Sequence, residues 1–429
     1  MKNYKRYIVF WLSQSISQLG SAMTGFTLIL WNYEQRHSAM AVSVMAFCNY
    51  VPFIIISLIA GSFVDKHNKK AIMLIADSIA ALCSFAVLIL SATENLQVWN
   101  IYVVNTIIGF MNAFQQPAAA VVIGRIVPKE KLSNVSGMNS FSSNLITVFS
   151  PVLSAFVYSF GGLETILLID FFSFIFAFLV LLFVIRIPEN LGEVKRQSIL
   201  AGMTEGFCFL KEEKGIWFIM LTMALINFFS RLTYENILSP MILARSGGSN
   251  ETLGVVNAAM GIGGIAGGFI VSIKKDTSKN AGMIYFSAAL SFLFGDILMA
   301  AGRNSFMWSV AGIAASLPVP FIMAGQNVIM YNRIPEEMQG RVFAVRNAIQ
   351  FCTIPVGILL GGFLADYVFE PFMKSGVFLS DCLALIVGKS EGNGMAVMFL
   401  ITGFLGFLVS CFSYRIPEIR KLDAGCFDK

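Results

Sequence analysis

Two charged residues lie one helical turn apart within an apolar stretch of the sequence. In NFFSRLTYENIL, Arg231 and Glu235 are four positions apart, so a helix would place both side chains on one face. An ionisable group inside a membrane span costs about 2.5–3.5 kcal/mol on insertion scales, so it needs a partner or a water-filled cavity. Glu235 is therefore either a proton-binding or substrate-contacting group held by Arg231, or half of a structural pair that neutralises itself.

Four aspartates also lie within long apolar runs: Asp77, Asp170, Asp296 and Asp366. Asp170 and Asp296 each lie about two turns from the end of a predicted helix. A carboxyl group there can carry a proton, or it can reach back to the membrane surface, and the sequence leaves both readings open. With Arg231 and Glu235, these two acids are our candidates for proton coupling. Asp77 lies near a basic loop, and we expect it to pair with a Lys or Arg there.

Uncharged polar side chains in other apolar runs could line a substrate cavity. Hydrogen-bonding groups come from six candidates: Gln14, Gln18, Gln115, Asn227, Gln326 and Asn327. Met111, Phe228 and Tyr234 would add an apolar wall for a bulky ligand. The two histidines lie in predicted loops, and the sequence contains no GxSxG, HExxH or GxxxxGK[ST] motif. We therefore predict no enzyme activity, no metal, no cofactor and no ATP-driven step.

The composition indicates a membrane protein. Of the 429 residues, 56% are hydrophobic and only 13% are charged, against about 25% in soluble domains. The net charge of +5 comes without a dense basic block, which argues against a nucleic-acid partner. The seven cysteines are scattered and odd in number, so no disulfide or metal framework is predicted.

Twelve runs are long enough for helices that cross a membrane, which takes about 20 mainly apolar residues. They cover 7–31, 40–61, 71–93, 98–123, 134–160, 165–186, 215–242, 254–273, 281–301, 307–332, 342–368 and 395–414. Their length and lack of alternation favour helices over a barrel. Most of the 30 Lys and Arg residues fall at the two chain ends and in the loops on that same side. The positive-inside rule then places both termini in the cytoplasm.

The sequence indicates an internal duplication. RIPE occurs at 186–189, 333–336 and 415–418, each time after an apolar run, where Pro ends a helix and Arg can reach lipid phosphate. Pro128 and Pro335 are 207 positions apart, as are Gly61 and Gly268. We predict two six-helix halves, 1–190 and 215–429, joined by a cytoplasmic linker at 191–214 with an amphipathic helix. One insertion, an outer loop at 369–394, shifts the repeat, and the sequence does not predict its role.

A loop signature identifies a family resemblance. In GSFVDKHNKKAIML, Gly61, Asp65, Lys69 and Lys70 resemble the G-x-x-x-D-(R/K)-x-x-(R/K)-(R/K) loop of the major facilitator superfamily. The stretches SQSISQLGSAM, AFQQPA, SPVLSA, GRVFAV and EIRKLD resemble the macrolide-efflux (Mef-type) drug antiporters. The resemblance implies that Asp65 faces the start of the eleventh helix near Arg341, as a cytoplasmic latch. Lys69 and Lys70 would bind lipid or acidic partners in the opposite half.

The resemblance also implies a function. It suggests a monomeric secondary exporter in the plasma membrane, which moves amphipathic, macrolide-like compounds by alternating access in exchange for protons. Its partners would be the substrate, protons and membrane lipid. The chain departs from the drug antiporters in the fourth helix, where Asn105 stands in place of a frequent Arg. Two alternatives stay open: an exporter of siderophores or other metabolites with the same fold, and a membrane partner protein that transports nothing.

Overall fold

The computed structural model describes residues 2–126, 132–184, 199–273 and 279–424, and the regular structure in these residues is all helical. The α-helices are α1 Lys2–Arg36, α2 Ala39–Lys66, α3 Lys69–Ala92, α4 Val98–Ile126, α5 Leu132–Phe183, α6 Ile199–Glu212, α7 Lys214–Thr233, α8 Leu238–Arg245, α9 Asn250–Ile273, α10 Asn280–Leu290, α11 Ile297–Ala301, α12 Ser305–Ser316, α13 Val319–Arg333, α14 Glu336–Phe363, α15 Glu370–Lys374, α16 Phe378–Val387, α17 Asn393–Ser413 and α18 Pro417–Ala424. Two π-helical segments, Ser291–Asp296 and Leu364–Phe369, follow α10 and α14.

The long apolar runs form the long helices. Within the described residues, ten stretches have the length and composition to cross a membrane. One of them, Leu145–Phe183, has 39 residues and would be about 58 Å long as a straight helix, nearly twice the hydrocarbon core. It contains a kink at Gly162, where φ is 65°. The predicted all-helical membrane fold is confirmed, while the count of twelve spans and the cytoplasmic termini stay predictions.

Two compact units make up the chain. One comprises Met1–His37 with Val44–Lys195, and the other comprises Ser38–Ser43 with Arg196–Lys429. The predicted halves and linker stay predictions, because residues 185–198 lie outside the described part of the chain. Helix α6 occupies part of the predicted linker.

The first unit is built on the long pairing of α1 with α5, and α3 packs against both α4 and α5. Tyr7, Met73, Val122 and Leu181 belong to one buried apolar cluster of this unit. Helix α3 begins at a side-chain cap, in which the Asn68 carboxamide oxygen accepts a hydrogen bond from the Ala71 amide at 2.7 Å.

In the second unit, α7 packs against α14, α9 against α12, and α10 against α13. The C-terminal helix α18 joins this unit through Asp423, whose carboxylate accepts from the amides of Ala281 at 2.8 Å and Gly282 at 2.9 Å. A carboxylate satisfies free amides at a helix start and interacts favourably with its dipole. The EIRKLD motif, which ends with this residue, thus closes the start of α10.

Two of the RIPE copies fall between helices, as predicted. Helix α13 ends at Arg333 and α14 begins at Glu336, so Pro335 directly precedes the new helix. Helix α17 ends at Ser413, and α18 begins at Pro417. Proline suits a first helical position because it has no amide to leave unpaired. The copy at 186–189 lies outside the described residues.

Close backbone packing joins α9 to the α12–α13 junction. A methyl group added at Gly267 would overlap the carbonyl oxygen of Leu317 and lie 3.0 Å from its carbonyl carbon. At Gly268, the next residue, an added methyl group would meet no atom within 4 Å. Small residues at such positions let membrane helices approach closely, and only one face of α9 is used in this way here.

Gly267→Ala is therefore expected to destabilise the protein by about 1–3 kcal/mol, because the backbone of Leu317 must shift to admit the methyl group. Gly268→Ala is the matched control and should be neutral or slightly stabilising, since alanine favours helix more than glycine does. Thermal unfolding in detergent would measure both. Equal melting temperatures for the two variants would contradict the assigned contact.

Candidate functional site

Asp170 is a buried acid held by hydroxyl groups in the first unit. Its side chain is 1% exposed, and it accepts hydrogen bonds from Ser21 at 3.2 Å, Thr24 at 3.0 Å and Ser84 at 2.8 Å. The hydroxyl of Ser21 is shared with the carbonyl oxygen of Ser17. The donors come from α1 and α3, and Asp170 lies in α5 beyond its kink. No described Lys or Arg forms an ion pair with it.

Asp296 is the counterpart in the second unit. It is fully buried at the end of the first π-helical segment, and it accepts from the Tyr234 hydroxyl and the Thr402 hydroxyl, both at 2.9 Å. These partners lie just after α7 and in α17. Each predicted half contains six spans, which can be numbered one to six within that half. In this numbering, both acids lie where spans one, three and six of their half meet. The local sequences show no such equivalence, because the acid stands on the sixth helix in one half and on the third in the other.

Hydroxyl partners give these acids a specific property. A hydroxyl group can donate a hydrogen bond to a carboxylate, and it can also accept one from a protonated carboxyl group. Asp170 and Asp296 can thus bind or release a proton without leaving either group unpaired. A Lys partner could not do this, because an ammonium group only donates.

The predicted pair of Arg231 and Glu235 forms. The guanidinium group donates to the Glu235 carboxylate, with the side chains 34% and 23% exposed. The pair stands at the end of α7 and in the turn that follows. Its formation fits both readings of the sequence, a functional carboxylate and a self-neutralised pair.

Asp77 does not meet the expected partner. It is 3% exposed, and its Oδ1 accepts from the Gln115 side-chain amide at 2.5 Å. The amide of Gln14 also lies beside this carboxyl group. Within the described residues no Lys or Arg pairs with it, so the predicted partner was wrong. Gln14 belongs to α1 and Gln115 belongs to α4. The sequence of the loop next to Asp77 does not indicate that these two helices pack against α3 at this position.

A small cavity lies beside this cluster. It has a volume of about 150 Å³, and its lining includes Gln14 and Gln18 of α1 and Asn139 of α5. The structure thus brings two of the predicted cavity residues together. Gln115 is linked to them through Asp77, whereas Met111 of α4 is not part of the lining.

The candidates of the second unit are spread over α7, its following turn and α13. Tyr234 is bound to Asp296 and packs edge-on against Phe399, with ring centroids 5.2 Å apart. Phe228 packs edge-on against Phe229, and Asn227, half-buried, lies one turn before Arg231. Gln326 is buried, and Asn327 accepts from Arg346 at 3.3 Å.

The gating candidates are only partly described. Gly61 and Asp65 lie near the end of α2 and Arg341 lies near the start of α14, but the surroundings of all three are outside the described part of the structure. Lys69 is buried at the first position of α3. Lys70 donates to the Leu182 carbonyl oxygen at 2.8 Å, so it binds the end of α5 in its own unit. A cation at a helix C-terminus interacts favourably with its dipole.

The predicted outer loop at 369–394 contains helices α15 and α16. Arg245, at the end of α8, donates to the carbonyl oxygen of Val387 at 2.6 Å and to that of Ala300 at 2.9 Å. It thus joins α16 to α11. The Glu370 carboxylate accepts from the Gly394 amide at the start of α17, at 3.1 Å. We did not single out Arg245 from the sequence, because it reads there as an ordinary loop cation.

Asp170→Ala is expected to cost about 1–3 kcal/mol of stability, because it leaves buried hydroxyl donors without an acceptor. Asp170→Asn keeps one acceptor oxygen and should cost less. Asp381→Ala is the control, since it removes an exposed pair with Lys389 that contributes about 0–1 kcal/mol. Unfolding measured by intrinsic fluorescence would rank the three. The assignment fails if Asp170→Ala unfolds at the same temperature as Asp381→Ala.

Comparisons with known proteins agree with the resemblance seen in the motifs. The sequence profile of the Major Facilitator Superfamily matches residues 10–357. The chain is 26% identical to Macrolide efflux protein A of Streptococcus pyogenes over 429 residues, which is 98% of each chain. It is 22% identical to the Staphyloferrin A transporter of Staphylococcus aureus over 336 residues, which cover 77% of this chain and 82% of the relative.

The fold agrees as well. The crystal structure of a mutant of the nucleoside transporter NupG superposes with a TM-score of 0.68 at 14% identity, covering 95% of this chain and 99% of that one. At so low a sequence identity, the match shows only that the two proteins share a fold. The chain therefore belongs to the Major Facilitator Superfamily and is a multi-pass membrane transporter.

Proposed function

We propose that this transporter exports amphipathic, macrolide-like compounds by alternating access, in exchange for protons. The observation that carries the proposal is the similarity to a macrolide efflux protein along 98% of both chains. A match of that extent includes both halves of the predicted duplication. The transporter would act in the plasma membrane as a monomer, with both termini in the cytoplasm.

The buried acids support the coupling to protons. Asp170 and Asp296 bind hydroxyl groups that can accommodate a carboxylate or a carboxyl group. An ionisable residue within a membrane protein commonly marks an ion or proton pathway. Glu235 is the third candidate, because its side chain is partly open to solvent and Arg231 holds it in place.

The polar candidates in each unit would contact the substrate. Gln14 and Gln18 line a cavity. Tyr234, another candidate for substrate contact, donates a hydrogen bond to Asp296. A substrate that displaces Tyr234 would change the hydrogen bonding of that acid. This gives a physical route by which proton binding and substrate binding can influence each other.

Export of an anionic siderophore is the second candidate. One observation favours it: Arg346, half-buried, donates to Asn327, so a second cation besides Arg231 lies at a predicted cavity residue. A relative that is a siderophore transporter, the Staphyloferrin A transporter, points the same way. An anionic substrate needs such cations, whereas an uncharged or cationic amphiphile does not.

In inverted vesicles, labelled erythromycin should accumulate when the lumen is acidic, because protons that leave the lumen drive the drug inward. A protonophore should abolish the accumulation. No uptake by folded protein would contradict the macrolide assignment, and uptake of a labelled anionic siderophore in the same vesicles would favour the second candidate.

The coupling residues can be separated by conservative variants. Three substitutions each remove one titratable group: Asp170→Asn, Asp296→Asn and Glu235→Gln. If the group is essential for proton coupling, gradient-driven uptake should fall at least about tenfold, because a positioned proton-transfer group contributes a rate factor of at least this size. Asp381→Asn, at an exposed pair, is the matched control. If all three variants keep the pH dependence of the wild type, none of these acids carries the proton.

Asp65→Asn tests the proposed latch. It removes the charge that would face the start of the eleventh helix near Arg341, an interaction of about 0.3–1 kcal/mol at an exposed site. We expect slower uptake at unchanged expression, because one of the alternating states loses stability. Normal turnover by this variant would remove the latch from the mechanism.

A further inference from the structure

The 150 Å³ cavity of the first unit is lined by aromatic rings and uncharged hydrogen-bonding groups. Helix α1 contributes Trp11, Gln14 and Gln18, and α5 contributes Asn139, Ser142 and Ser143. No described residue of the lining carries a charge. An anion or a cation would find no counter-charge at this surface, so its chemistry favours a neutral polar ligand.

Among the described residues, two buried N–H groups at this cavity have no hydrogen-bond acceptor in good geometry. They are the indole Nε1 of Trp11 and the amide Nε2 of Gln14, which lie three positions apart on α1. The carboxyl group of the almost fully buried Asp77 lies beside the Gln14 amide, and its Oδ2 has no donor in good geometry among the described residues. A buried polar group without a partner costs about 1–3 kcal/mol, so such groups call for a ligand or ordered water.

Two hydrogen bonds join α1 and α5 at the lining of this cavity. The Tyr7 hydroxyl donates to Asn139 at 3.2 Å, and the Ser142 hydroxyl donates to Ser15 at 2.7 Å. These bonds tie α1 to α5 and hold the polar wall in place. A ligand would then meet amide and hydroxyl groups of α5 that are already held by hydrogen bonds, together with the donors of Trp11 and Gln14 on α1.

The size and the chemistry of the cavity together define a ligand class. Sites for whole drug-sized molecules have volumes of about 300–1,000 Å³, so this cavity suits one part of a larger molecule. Hydroxyl groups both donate and accept, which matches the mixed lining. Trp11 and Phe10 add aromatic rings to the lining, and an aromatic ring can pack against the C–H face of a sugar.

We propose that this cavity binds the sugar part of a glycosylated amphipathic substrate, with Trp11 and Gln14 donating to its hydroxyl oxygens. This inference rests on the proposed export of amphipathic compounds and specifies which part of the substrate the first unit recognises. Asp77, through its amide neighbours, positions the cluster without contacting the sugar.

Cysteine protection tests binding without transport. In Ser143→Cys, placed at the lining, maleimide labelling of residue 143 is followed by peptide mass spectrometry in nanodiscs. Octyl glucoside below its micellar concentration should slow the labelling, whereas tetraethylene glycol monooctyl ether, with the same alkyl chain, should not. Adding Gln14→Ala should raise the concentration of glucoside needed by about 3- to 10-fold, as expected for one lost hydrogen bond.

Two further variants control for the fold. Gln350→Ala removes an amide from the second unit that is also buried and without a partner for its Nε2, and it should leave protection unchanged. Trp11→Phe keeps an aromatic ring but removes the donor, and it should weaken protection about as much as Gln14→Ala. Equal protection by the two octyl compounds would overturn the proposal, as would equal effects of Gln14→Ala and Gln350→Ala.

Uptake separates this inference from the proposed function. Vesicles should take up erythromycin in preference to its sugar-free aglycone, and Trp11→Phe should reduce that preference. Protection by glucoside without uptake of either compound would refute macrolide export and leave the sugar site standing. Equal uptake of both compounds with no protection by glucoside would refute the sugar site and leave macrolide export standing.

Discussion

The cost of leaving a polar group unpaired away from water determines how this transporter holds its buried acids. Asp170 and Asp296 are each enclosed by hydroxyl groups from neighbouring helices. Such partners satisfy the acid in both of its protonation states, whereas an Arg or Lys would favour the charged state alone. The same constraint explains why each buried acid has hydrogen-bond partners. With hydroxyl partners, an acid can gain and lose a proton reversibly.

These sites depend on helix packing. Thr24 and Ser84 reach Asp170 from two different helices, and Tyr234 and Thr402 reach Asp296 from two others. A helix that shifted by one turn would move its side chains by about 5.4 Å, which exceeds hydrogen-bond range. Close contacts such as that of α9 with the α12–α13 junction limit shifts of this kind within the second unit. At Asp296 itself, a methyl group added at Gly403 of α17 would lie 2.8 Å from the Asp296 Cβ, so close packing and the geometry of this acid site have a common source.

The first unit uses buried polar groups in two ways. Around Asp170 the hydroxyl donors are paired, and the acid is almost fully buried. Around Asp77 and Gln14 the pairing is incomplete, and a cavity adjoins the unpaired groups. In the exchange that we propose, the first arrangement would bind the proton and the second would bind part of the substrate.

Features that depend on local sequence could be predicted. The length and composition of the apolar runs predict a helical membrane protein, and the RIPE motif predicts where helices end. The spacing of Arg231 and Glu235 predicts their pairing, because a helix repeats every 3.6 residues. The tertiary structure alone decided the partners of the buried acids. Thr24 is 146 positions from Asp170, and Asp296 is 106 positions from Thr402. Such pairs depend on the rotation and depth of each helix, which side-chain packing between distant segments sets.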